Sequence, residues 1–100
     1  MFVEATIIKT RTLTIKPNTT RETDVVVVTY DLGRFGPHES NVVVRTEMER
    51  TRDFFRKQTD NFVKVTGIGS IDNHSEAVGK TVTIQLEHTR YGDRVAGVWK

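Results

Sequence analysis

What most limits the folds open to this chain is the order of its patterns: strand-like runs lie on both sides of a single helix-period segment. Three β-branched runs come first, then an amphipathic stretch from about Thr46 to Val65, then an alternating hairpin. In the first run, Val3 to Ile15, residues Val3, Ala5 and Ile7 share one side, Ile8 breaks the period, and Leu13 and Ile15 follow. A bend or bulge near Ile8–Arg11 reconciles this with one long strand, because an inserted residue turns the chain and resets its alternation. Lys16-Pro17-Asn18-Thr19-Thr20 is a turn by composition, since Pro17 fixes its own φ and has no N–H for a ladder. The second run, Glu22 to Leu32, contains four consecutive valines at Val25–Val28. A strand apolar at every position is expected to be covered on both faces, or covered on one and held against a partner on the other.

Gly33-Arg34-Phe35-Gly36-Pro37 is a loop, and Ser40 to Arg45 a short third strand. Thr46 and Glu49 have the spacing of a reciprocal capping box, which places the helix start there. Met48, Thr51, Phe55, Phe62 and Val65 share a stripe with Phe54 at its edge, while Arg50, Asp53, Lys57, Asp60 and Lys64 lie opposite. So narrow and aromatic a stripe suits a helix plugging one end of a barrel. Gly67 is placed to end it in the left-handed conformation. Ile68 to Gly79 is a loop with one helical turn near Ser75–Val78, and Thr81 to Glu87 alternates with Val82, Ile84 and Leu86 inward. Tyr91-Gly92-Asp93 is a hairpin tip, and Arg94 to Trp99 returns with Val95 and Val98 on different faces and Gly97 marking a bulge or close approach. The sum is an all-β domain with one helix. A helix between the third and fourth strands is the wiring of the OB-fold, a five-stranded Greek-key barrel that binds oligonucleotides and oligosaccharides on one side. We therefore expect a single OB-fold-like domain over residues 1–100.

The absence of cysteine removes disulfides, zinc–thiolate sites and cysteine nucleophiles together. No apolar run approaches the ~20 residues of a membrane helix, and Met1-Phe2-Val3-Glu4 lacks the basic-then-apolar character of a secretory signal. The expected location is cytoplasmic, the host cytoplasm if the chain is viral. Fifteen basic against thirteen acidic residues give a net charge of +2, so any electrostatic footprint must be local. His38, His74 and His88 have no metal-ligand spacing, no serine sits in a nucleophile-elbow context, and Gly79-Lys80-Thr81 has His74 where a phosphate loop needs its first glycine. These patterns predict no catalytic residue, no metal site and no small-molecule cofactor.

Glu76-Ala77-Val78-Gly79-Lys80-Thr81-Val82-Thr83-Ile84, followed by Glu87-His88-Thr89-Arg90-Tyr91-Gly92-Asp93-Arg94, resembles the closing hairpin of phage-encoded single-stranded-DNA-binding-like proteins. The opening strand at Val3–Ile7, the valine-rich second strand and the helix running into Val65-Thr66-Gly67 are similar in outline. The resemblance implies an OB-fold and a part in phage DNA replication or recombination. Single-strand binding needs cations for phosphates and flat side chains for bases. On an OB barrel these belong to strands 2 and 3 and to the flanking loops. Those places hold Lys16 and Arg21, then Tyr30, Arg34, Phe35 and Arg45, then Arg90, Tyr91 and Arg94, with Trp99 near the end of the last strand. The expected partner is single-stranded DNA, with RNA left open, and oligomerisation is compatible with it. The competing expectation is a protein-interaction or oligomerisation module of viral origin, inhibiting or recruiting a host protein.

Overall fold

Five antiparallel strands form one sheet in the order β3-β2-β1-β4-β5. In a computed structural model that describes every residue from Met1 to Lys100, these are β1 (Phe2–Ile15), β2 (Thr23–Asp31), β3 (Pro37–Thr46), β4 (Thr81–Thr89) and β5 (Gly92–Trp99). One α-helix, α1 (Arg52–Thr66), joins β3 to β4, and 3-10 turns lie at Gly33–Phe35, Glu49–Thr51 and Ile71–Ala77. No helix is long and apolar enough to cross a membrane.

β1 organises the sheet by serving two neighbours. Its first part pairs with β4, from Phe2 opposite Gln85 to Thr6 opposite Thr81, and its second with β2, from Thr6 opposite Asp31 to Ile15 opposite Thr23. The register slips between Ile7 and Lys9, so Ile8 is the inserted residue and is left exposed. This is the bend that the broken alternation predicted.

The valine run is covered on both faces. Val26, Val28 and Tyr30 join Ala5, Ile7, Val82, Ile84 and Leu86 in the main core. Val25 and Val27 turn the other way and meet Val43, Ile15 and Phe55 in a second cluster. Burying one valine or leucine side chain contributes roughly 1.5–3 kcal/mol, so a strand buried on both faces anchors the fold.

The helix does not plug a barrel end. Phe55, Thr59 and Phe62, on one face of α1, straddle the free edge of β3. Phe62 enters the main core with Val42, Phe55 covers Val43 on the opposite face, and between them the Thr59 hydroxyl donates to the Val43 carbonyl at the strand edge. On its other flank α1 meets β5, where Asn61 Nδ2 donates to the Val98 carbonyl at 2.9 Å. Cα atoms of β3 and β5 approach within 8 Å, yet no backbone pairing joins them. The sheet curls until its edges nearly meet, and the helix lies along that seam.

Three further expectations are corrected. The capping box at Thr46 does not form, because Thr46 is the last residue of β3. Its buried hydroxyl shares a hydrogen with Thr23 Oγ1 (2.9 Å) and accepts from the Met48 amide (3.1 Å), and the α-helix begins only at Arg52. β3 is longer than Ser40–Arg45, starting at Pro37 and reaching Thr46. Val95 and Val98 do not face opposite ways: the β4–β5 register slips so that Gln85 opposes Gly97 and Leu86 opposes Val95, and the intervening Ala96 returns both valines to the main core. Gly67 ends α1 as expected, at φ 72° with its N–H on the Val63 carbonyl at 2.9 Å.

Candidate nucleic-acid interface

The β1–β2 turn is held by its own polar groups. Lys16 and Asn18 sit at φ 50° and 62°, the left-handed region that is costly for residues with a Cβ. The turn keeps them there: Thr19 Oγ1 donates to the Lys16 carbonyl (2.7 Å), and the Asn18 amide donates to Glu22 Oε1 (2.9 Å). The side chains of Lys16 and Arg21 stand exposed, and neither meets a carboxylate.

At the β2–β3 connection, Asp31 Oδ1 accepts from the Gly33 amide at 2.9 Å, and Gly33 and Gly36, at φ 65° and 76°, close the loop. The Arg34 guanidinium lies 5.0 Å from the centre of the Phe35 ring, which is partly buried against the main core. At the β4–β5 tip the same pairing recurs with the ring in solvent: Arg90 lies 4.9 Å over Tyr91, which is 86 % exposed. Thr89 fixes the tip, its hydroxyl donating to the Gly92 carbonyl (2.6 Å) and accepting from the Tyr91 amide (3.2 Å).

Three expected contact residues are otherwise engaged. Tyr30 is wholly buried, so its ring offers no face to a base. Its hydroxyl has no protein partner, and burial pushes its ionisation well above the ordinary tyrosine range. Arg45 is gripped by Glu22 (2.6 Å), Asp24 (2.9 Å) and Glu47. The Asn18 amide, then Arg45, holds the Glu22 carboxyl below its ordinary range, and the Thr14 hydroxyl, then Arg45, does the same for Asp24. Glu22 and Asp24 in turn push the Arg45 guanidinium further toward its charged form. A cation surrounded by three carboxylates is not free for phosphate. Arg94 lies against Glu87 at 3.2 Å. The Arg45 carboxylates converge on a guanidinium, and no group of His, Asp and Glu has the arrangement to hold a metal ion.

Trp99 lies away from the loop tips, on a groove of ≈ 400 Å³ at the β3–β5 seam. α1 forms one wall through Phe54, Lys57 and Asn61, and the buried Tyr30 lies beneath the floor. Phe54, at the edge of the helix's apolar stripe, is 60 % exposed and lines the groove together with a 43 % exposed Trp99. The available signal was the adjacent pair Phe54-Phe55: successive helical residues point about 100° apart, so only one of them can lie on the Phe62 line. The register separates the loop sites along β1. The β1–β2 turn lies past Ile15, the Gly33–Phe35 turn stands level with Thr6, and the β4–β5 tip extends beyond Met1, whose carbonyl accepts from the Leu86 amide at 2.7 Å. The exposed cations and rings are thus strung out along the molecule instead of gathered in one cleft. No protein-family model, curated relative or solved structure matches the chain.

Proposed function

We propose that this chain is a single-stranded nucleic-acid-binding module on an OB-fold-like sheet, with DNA the favoured form and phage replication or recombination the setting. The observation that carries it is the Arg90–Tyr91 pair, an exposed ring with a guanidinium 4.9 Å from its centre at a tip tied by the Thr89 hydroxyl. An exposed ring of this kind has no core to fill and gives a base a stacking surface, while its arginine supplies a neighbouring phosphate contact. Arg34 and Phe35 repeat the motif more deeply, and Lys16 and Arg21 extend the cationic track. Two features support the OB-like reading. β1 is shared between β2 and β4, and the strand order is that of a β1-β2-β3-β5-β4 barrel cut between β3 and β5.

Fluorescence anisotropy with a labelled oligo-dT tests the proposal. Tyr91→Ala should weaken binding by about 1–3 kcal/mol, the value of one base–aromatic stack, and leave thermal stability unchanged. Equal affinity of the variant and the parent protein would remove Tyr91 from the interface.

A further inference from the structure

We infer that the groove at the β3–β5 seam is a pocket for one nucleotide unit, an unstacked base between Phe54 and Trp99 with its phosphate on Lys57. This rests on the nucleic-acid reading above but concerns a separate place, on the helix side of the molecule and away from the loop tips. The size is right, since ligand pockets begin at about 300 Å³ and this one holds ≈ 400 Å³. Its chemistry is selective. Phe54 and Trp99 are large apolar rings left half in solvent, an exposure that stacking on a base would relieve. Asn41, Gln58 and Asn61 contribute carboxamides, which offer donor and acceptor together, as the edge of a base does. Of these, Asn61 already spends one amide hydrogen on the Val98 carbonyl.

Charge decides the stoichiometry. Lys57 is the only charged residue lining the groove, no carboxylate lines it, and Lys57 enters no ion pair. One unpaired cation in a carboxylate-free groove favours a single anionic group, whereas a run of phosphates would need several. An extended peptide is disfavoured by space. Where β3 and β5 Cα atoms come within 8 Å, no strand can be inserted between them, since that needs roughly 9.6 Å, twice the ordinary strand spacing. A planar base entering from the helix side meets no such limit.

Trp99 is the only tryptophan, so its emission reports on this groove alone. The intact protein is titrated with oligo-dT while Trp99 emission and the anisotropy of a labelled strand are followed in parallel. The expected result is quenching of Trp99 with the same midpoint as the anisotropy change. Phe54→Ala, at an exposed position, should weaken binding by about fivefold to 150-fold. Lys57→Gln should lower the slope of log affinity against log salt by about 0.7, the share of one phosphate. Anisotropy that reports binding while Trp99 emission stays flat and Phe54→Ala binds like the parent would overturn the pocket and leave the nucleic-acid reading standing. If neither signal responds, the nucleic-acid reading fails, and the pocket fails with it.

Discussion

β3 and β5 are the two edges of one sheet, and α1 covers them unequally. β3 is straddled: Phe62 packs on one face, Phe55 on the other, and Thr59 caps the edge carbonyl of Val43 between them. From α1, β5 receives a single side-chain bond, donated by Asn61, and its Val95, Val98 and Trp99 remain partly in solvent. An unpaired strand edge is a hazard that proteins cover or blunt. The β3 edge is covered, and Pro37 at its start removes one donor as well. The β5 edge carries neither a proline nor a lysine before Trp99. The difference separates architecture from availability: the β3 side of the helix holds the fold, and the β5 side leaves Phe54, Trp99 and the unpaired Lys57 exposed.

Neighbouring helix residues make the sharpest break of this comparison. Phe62→Ala should destabilise the protein by about 3–5 kcal/mol, because it empties a site in the main core. Asn61→Ala, one residue away on the β5 flank, should cost about 1 kcal/mol or less, the net worth of one exposed hydrogen bond. Chemical denaturation of both variants checks this; similar losses would mean that the two edges depend on the helix equally. A smaller effect of opposite sign is expected at the groove floor. Tyr30→Phe removes a buried hydroxyl that has no protein partner and should stabilise by about 1 kcal/mol, read as a higher denaturation midpoint with unchanged slope.

The smallest effect concerns the exposed cluster around Arg45. Glu22 and Asp24 are held below their ordinary values of 4.5 and 3.8, so the folded state favours their charged forms. That contribution is complete above about pH 4.5 and is lost as pH falls through the lowered folded-state values. The cost of Arg45→Gln measured at neutral pH should therefore shrink as pH falls below about 4.5. A cost that holds constant across that range would show that the carboxylates are not coupled to folding through Arg45.

Local signals carried much of the fold. The interrupted alternation at Ile8 announces the bend of β1 and Gly67 the helix end, and of the two readings that the four valines allow, the strand covered on both faces is the one observed. What stayed hidden depends on partners distant in sequence. Thr46 has the composition of a helix cap, but Thr23 claims its hydroxyl across the β2–β3 ladder. Arg45 looked free because its carboxylates at Glu22 and Asp24 come into reach only once the register is set. Val95 and Val98, three residues apart, fall on opposite faces by simple alternation; Gly97 marks a bulge nearby, but only the register with β4 shows that Ala96 is the inserted residue. The hairpin tip was legible for the opposite reason: Tyr91, Gly92 and the flanking threonine settle its geometry among themselves.

The most direct test of the central claim is the salt dependence of oligo-dT affinity. Of the proposed contact cations, Lys16, Arg21, Arg34 and Arg90 are held by no carboxylate, whereas Arg45 and Arg94 are paired. Four phosphate contacts predict a slope of log affinity against log salt of about −3. Binding that ignores salt, or no binding at the lowest ionic strength, would contradict the account.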